Sequence, residues 1–146
     1  MPDPRPPYHI EFYADDDGYE PALAFMQSLT PTKRRAIGVA INEFLGHLGP
    51  DVVGTDFGKN LGGGLLEFRV DQDAEQVLRK AGKSPRPEPA SGKLLLRVFF
   101  HAHGNKLILL LSGYDKGERS SKTHQNAQIE LARQYLRHWK TRGRAR

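Results

Sequence analysis

The sequence predicts an α+β domain: one antiparallel sheet of about four strands, two N-terminal helices and one C-terminal helix over one of its faces, in the order β-α-α-β-β-β-α. Three observations predict it. Segments of apolar period two alternate with segments of period three to four. Two further, largely apolar runs flank a short turn containing Gly104 and Asn105, which makes them a hairpin. The 146 residues, 38% of them hydrophobic, suffice for one core but not two, so residues 1–146 are read as a single domain.

Residues 8–13, YHIEFY, alternate as a strand, with His9, Glu11 and Tyr13 on one face and Tyr8, Ile10 and Phe12 on the other. Residues 20–29 have Pro21 near their start and Leu23, Met26 and Leu29 three apart, which suits a short helix. Pro31 restarts a helix over 32–48, whose Ile37, Ala40, Ile41, Phe44, Leu45 and Leu48 form one stripe, and Gly49-Pro50 ends it. LLEFRV at 65–70 is the second strand. Residues 71–92 carry scattered charges with Pro85, Pro87 and Pro89 and are expected to form a flexible insertion. Residues 93–101 and 106–111 form the hairpin, and Gln125 to Trp139 the last helix, followed by a basic tail at 140–146.

Composition excludes several classes of function. With no cysteine there is no disulfide scaffold and no thiol nucleophile. The apolar runs at 94–96 and 107–111 fall far short of the ~20 residues of a membrane helix. The proline-rich, acidic start lacks the basic and apolar regions of a secretory signal, so a cytoplasmic location without membrane partners is expected. The net charge of +5 hides an asymmetry. Residues 1–76 hold six Lys and Arg against thirteen Asp and Glu, a net of −7, whereas residues 77–146 hold sixteen against four, a net of +12. Such a field suits nucleic acid; a solvated surface with a basic tail accounts for the charge equally well.

Most motifs have a structural explanation. Gly62-Gly63-Gly64 precedes a strand, whereas a phosphate cradle lies between a strand and a helix, so the glycines make a turn. The six histidines show no i, i+4 helical pair; His101 and His103 share one strand face but do not make a metal site by themselves, and neither metal nor cofactor is expected. Asp15-Asp16-Asp17 lacks a calcium-loop pattern. The informative residues are Arg69 in LLEFRV and Arg97 in LLLRVFF. A charge within a strand costs desolvation unless it is paired or faces a groove. Either the two arginines line one cleft, or Arg97 pairs with Glu67 across strands and holds the register. The segment after the last strand adds Lys116, Arg119, Lys122 and His124.

The succession GGGLLEFRV, LLLRVFFHAHGNKLILLLSGYDKGERSSKTH and QIELARQYL resembles the RelE/HigB-type toxin superfamily, nearest its phage-derived, HigB-like branch. That branch has an "ElR" strand, a "yRv" strand, a strand ending in hydrophobic-Gly-aromatic with a Lys-rich loop, and an "eielA" helix, in this order. The likeness covers about residues 61–136 by motif and the rest by architecture. It implies a RelE-like fold and the toxin of a type II toxin–antitoxin system: a ribosome-dependent mRNA endoribonuclease (mRNA interferase) silenced by a cognate antitoxin, a helix-turn-helix protein. Arg69 matches the "ElR" strand, Arg97 the "yRv" strand, and Lys116, Arg119 and Lys122 the cationic loop. The chain departs from the pattern at Asp115, where the family carries Lys.

The implied reaction is attack of the RNA 2′-hydroxyl on the adjacent phosphate. It needs cations at the developing negative charge and a proton donor and acceptor within reach. Arg69 and Arg97 suit the first role because a guanidinium fork matches phosphate oxygens. His124 suits acid–base work by its ordinary pKa, with Glu67 or Tyr114 as substitutes. Arg69, Arg97, Lys116 and His124 are thus the catalytic candidates, and Arg119, Lys122, Arg133, Arg137 and Lys140 the RNA-binding ones. The alternatives are a catalytically inactive relative that binds RNA or protein through the same face, favoured by Asp115, and a phage assembly protein.

Overall fold

The computed structural model describes residues 6–83 and 93–144. Five strands form one sheet in the order β1-β5-β4-β3-β2: β1 is His9–Phe12, β2 Gly58–Gly62, β3 Leu65–Val70, β4 Leu96–His103 and β5 Leu107–Asp115. Among the described residues four helices exceed six residues: α1 Pro21–Ser28, α2 Pro31–Ala40, α3 Ala74–Lys80 and α4 Lys122–Arg144. The apolar stripe of α2 continues through a π-helical turn at Ile41–Leu45 and a helical turn at Gly46–Leu48 into a 3-10 turn at Gly49–Gly54.

The α+β class holds, but the expected antiparallel sheet of about four strands gives way to a mixed sheet of five. β1 runs parallel to β5, while the other pairings are antiparallel. β2 is the added strand; GKNLG contains two glycines and no β-branched residue, so nothing in its composition marks it. Part of the expected insertion at 71–92 is helix α3. Asp73 accepts from the Gln76 backbone N–H at 2.8 Å, and the Gln76 side chain accepts from the Asp73 N–H at 3.2 Å, a reciprocal cap. Ala74, Val77 and Leu78 then bury one face. Residues 84–92 lie outside the described residues. Helix α4 absorbs residues 140–144 of the expected basic tail.

Helices also cover both faces of the sheet, not one. Leu66, Phe68 and Val70 of β3, Leu96, Val98 and Phe100 of β4, and Ile108 and Leu110 of β5 pack with Ala22 and Leu29 of the α1 region, Ala36, Ile37 and Ala40 of α2, and Val77 of α3. The alternate residues Leu65, Phe99, Leu109 and Leu111 pack with Ala132 and Leu136 of α4. Because successive strand residues point to opposite faces, these are two cores separated by the sheet. The β1 alternation holds: Tyr8, Ile10 and Phe12 join the first core and Tyr13 the second.

One irregularity positions the candidate site. In the β4–β5 ladder Phe99 pairs with Ser112 but Phe100 with Leu110, so Leu111 is an extra residue on β5. The bulge reverses the inward–outward parity of the rest of the strand. Tyr114 therefore shares the α4 face with its partner Arg97, and Asp115 turns to the α2 face.

Candidate functional site

Arg69 on β3 lies directly opposite Arg97 on β4, and Arg97 directly opposite Tyr114 on β5. The His124 ring meets the Tyr114 ring edge-on, with centroids 5.5 Å apart, and Tyr114 stacks on Phe99 at 5.9 Å. Four predicted or substitute site residues thus form a row across three strands and the first turn of α4. His124 is fixed there by its helix start, because the Ser121 hydroxyl accepts from the His124 backbone N–H at 3.2 Å. No acidic residue occupies that first turn, so the helix's positive end adds to the Lys122 charge.

The electrostatics of the row come from carboxylates beneath it. Glu67 is 4% exposed and accepts from Arg69 Nε at 2.7 Å, with Arg97 Nε at 4.0 Å. Arg97 is only 3% exposed; its guanidinium donates to Asp71 at 2.5 Å and to the Leu96 carbonyl at 3.1 Å. The expectation that both arginines line an open cleft fails for Arg97: it stands beside Arg69 in the ladder but is buried, because acids hold it, chiefly Asp71 and only at a longer distance the expected Glu67. Arg69 is the more open of the two, with its side chain 31% exposed. Burial and the neighbouring Glu67 charge push the Tyr114 phenol above its ordinary pKa, against the opposing pull of both arginines. Tyr114 therefore stays protonated at neutral pH.

The cationic loop is organised by Asp115. Its Oδ1 accepts from the Gly117 N–H at 2.9 Å and its Oδ2 from Lys33 Nζ of α2 at 2.6 Å. Its carbonyl accepts from the Glu118 and Arg119 N–H groups at 3.2 Å each. Lys116 is half-buried at the strand end, while Arg119 and Lys122 are exposed. Beside this loop opens a cleft of about 250 Å³ lined by residues of the α1–α2 elbow, the loop and His124.

The other predicted RNA-binding residues lie toward the far end of α4. Arg133 donates to the Leu61 and Gly62 carbonyls at 2.7 and 3.0 Å, closing the β2–β3 turn, and Arg137 pairs with Glu130 at 3.3 Å. Lys140 stands near His101, Trp139 near His101 and His103. His101 is held neutral by burial, with Lys140 and His103 adding to the effect against the opposing Gly64 hydrogen bond; its Nδ1 meets the Gly64 carbonyl at 2.7 Å. Among the described residues no group of three or more acidic or imidazole side chains is arranged to hold a metal ion, and no helix is long and apolar enough to cross a membrane.

Sequence reasoning missed Asp71, Ser121 and Lys33. Asp71 directly follows the strand of Arg69, and Ser121 precedes His124 by the spacing of a helix cap; Lys33 leaves no local signal, because it reaches the loop from 82 residues away. No protein-family model, no curated protein and no solved structure matches the chain.

Proposed function

We propose that this chain is a RelE-like toxin of a type II toxin–antitoxin system, acting in the cytoplasm as a ribosome-dependent endoribonuclease on mRNA. The observation that carries the reading is the row Arg69, Arg97 and Tyr114 on one sheet face with His124 against Tyr114, followed in the chain by a loop and helix start that carry Lys116, Arg119 and Lys122. Cations at a strand surface and a helix start attract the RNA backbone.

In this reading the 2′-hydroxyl of the substrate attacks the adjacent phosphorus, leaving a 2′,3′-cyclic phosphate and a free 5′-hydroxyl. Arg69, the open arginine, faces the charge that grows on the phosphate oxygens. Arg97 is a positioning residue: it is buried and paired with Asp71, and its charge stands 4.0 Å from the Glu67 carboxylate that accepts from Arg69. His124 takes the proton of the attacking hydroxyl, and the Tyr114 phenol, kept protonated, is the donor beside it. A cognate antitoxin silences the protein by covering this face.

A second reading is favoured by one observation. Arg97 and Asp115 are both committed to ion pairs within the chain, which suits an inactive relative that binds RNA or protein.

Induced expression in a bacterial host separates the two. The wild type should arrest growth and create new mRNA ends carrying cyclic phosphate. His124→Ala, chosen because His124 lies outside the buried network, should lower cleavage by about 10²–10⁴ while its circular dichroism stays unchanged. A folded, harmless wild type that creates no new ends would overturn the nuclease reading and leave the binding one.

A further inference from the structure

The cleft beside His124 is built by a close approach of helix to strand. Gly113 presents no side chain to α1, so Phe25 lies directly on β5: a Cβ at Gly113 would stand 2.5 Å from the Phe25 ring. Phe25 and the buried Leu29 give the cleft an apolar floor. Its rim carries the Thr30 hydroxyl, the Lys33–Asp115 pair, Glu118, Arg119 and His124. At about 250 Å³ it falls just below the ~300–1,000 Å³ of drug-sized pockets, so it takes one planar ring rather than a stack of them.

The charges say which ring. Asp115 is spent, with one oxygen on Lys33 and the other on the Gly117 N–H. Glu118 touches Lys33 only at 3.8 Å and its side chain is 73% exposed, so its carboxylate keeps open acceptor positions at the rim. Arg119 as a cation and His124 through its ring nitrogens flank the same opening. An apolar floor, a carboxylate acceptor and a flanking cation together complement a nucleobase with a donating edge and a phosphate attached. Single-stranded RNA is read in this way, by packing the base face and hydrogen-bonding its edge.

Resting on the nuclease reading above, we propose that this cleft seats one nucleobase of the RNA strand and favours bases with an exocyclic amine over uracil. His124 joins cleft and cationic row, because it lines the one and touches Tyr114 of the other. The cleft opens on the α1–α2 side of the sheet and the row lies on the α4 side, so a seated base and the scissile phosphate meet at His124, and the cleft sets which nucleotide is presented there for cutting.

Cytosine and uracil have the same ring size and differ on the donating edge, so cytidine and uridine monophosphates are the probes, with inorganic phosphate as the third arm. They are titrated into the isotope-labelled full chain and followed by amide chemical shifts. The expected result is saturable movement of the Ser28, Thr30 and Gly117 amides, with cytidine monophosphate binding about fivefold more tightly than uridine monophosphate. Glu118→Ala, an exposed position whose loss leaves the fold intact, should erase that ratio. Equal affinities, shifts confined to residues outside the cleft, or full reproduction of the shifts by phosphate alone would each overturn the proposal; the last would reduce the cleft to an anion site. Cleavage is read separately. Cytidine binding without new mRNA ends sinks the nuclease reading alone, and cutting without movement of the cleft amides sinks the nucleobase site alone.

Discussion

Replacing Gly113 by Ala tests how closely α1 is packed on the sheet. The new Cβ would stand 2.5 and 2.8 Å from two carbons of the Phe25 ring and 2.7 Å from the Arg97 carbonyl oxygen. Phe25 is packed against the first core, and the carbonyl belongs to the β4–β5 ladder, where Gly113 pairs with Val98. Forcing one methyl group into such a space costs about 1–3 kcal/mol. Relief of glycine's backbone entropy returns roughly 0.5–1 kcal/mol. The middle of the two ranges leaves a net loss of about 1 kcal/mol, or roughly 3–5 °C in Tm for a chain of this size. Gly38→Ala is the matched comparison: it sits inside α2 with nothing within 4 Å of its would-be Cβ. There the same exchange should stabilise by about 0.5–1 kcal/mol. Urea unfolding followed by circular dichroism, at unchanged slope, should place the two midpoints on opposite sides of the parent. A Gly113→Ala midpoint at or above the parent's would refute the close approach and, with it, the floor of the cleft.

Arg97→Met removes a buried cation but leaves Glu67 with Arg69 and Asp71 with water, so urea unfolding should show a loss of about 1–2 kcal/mol rather than the ~3–5 of an orphaned buried charge; combined with Asp71→Asn the losses should fall short of additive by about 0.5 kcal/mol or more. Because the folded pKa of His101 lies below its unfolded value of about 6.5, the unfolded chain takes up that proton first, and the stability present above pH ~6.5 is lost as pH falls through the lowered value. Thermal melts at pH 7.5 and 5.5 should therefore differ more for the wild type than for His101→Gln. Asp73→Ala should cost about 1 kcal/mol and speed amide exchange within α3, where the reciprocal cap is lost.

The sequence made the elements near the site legible because local patterns determine them. The alternation of LLEFRV and the apolar run LLLRVFF put Arg69 and Arg97 on strands, and the Gly-Asn turn made β4 and β5 neighbours. The hidden features depend on residues far apart in the chain. The parallel partner of β1 is such a case, as is the reach of Lys33 to Asp115. The bulge at Leu111 is the most consequential one. Counted by strict alternation from Leu110, Tyr114 would belong with the α1–α2 core; one extra residue sends it to Arg97 instead. Helix α3 is a different case, since Asp73, Gln76 and the apolar residues after Asp73 did announce it, but the three prolines beyond outweighed them.

The parallel pairing of β1 with β5 also bears on how the chain comes to be whole. His9 meets Leu107 and Phe12 meets Leu110, so the first of the five strands waits for the fifth. Contacts of such sequence separation form slowly. Any fragment ending before Leu107 would leave β1 without its neighbour and β4 with an open edge, the kind of surface on which unfinished chains associate. Tyr114 lies on β5 itself, so the part of the row that spans β3, β4 and β5 forms with the last pairing of the sheet, and His124 joins it only when α4 docks.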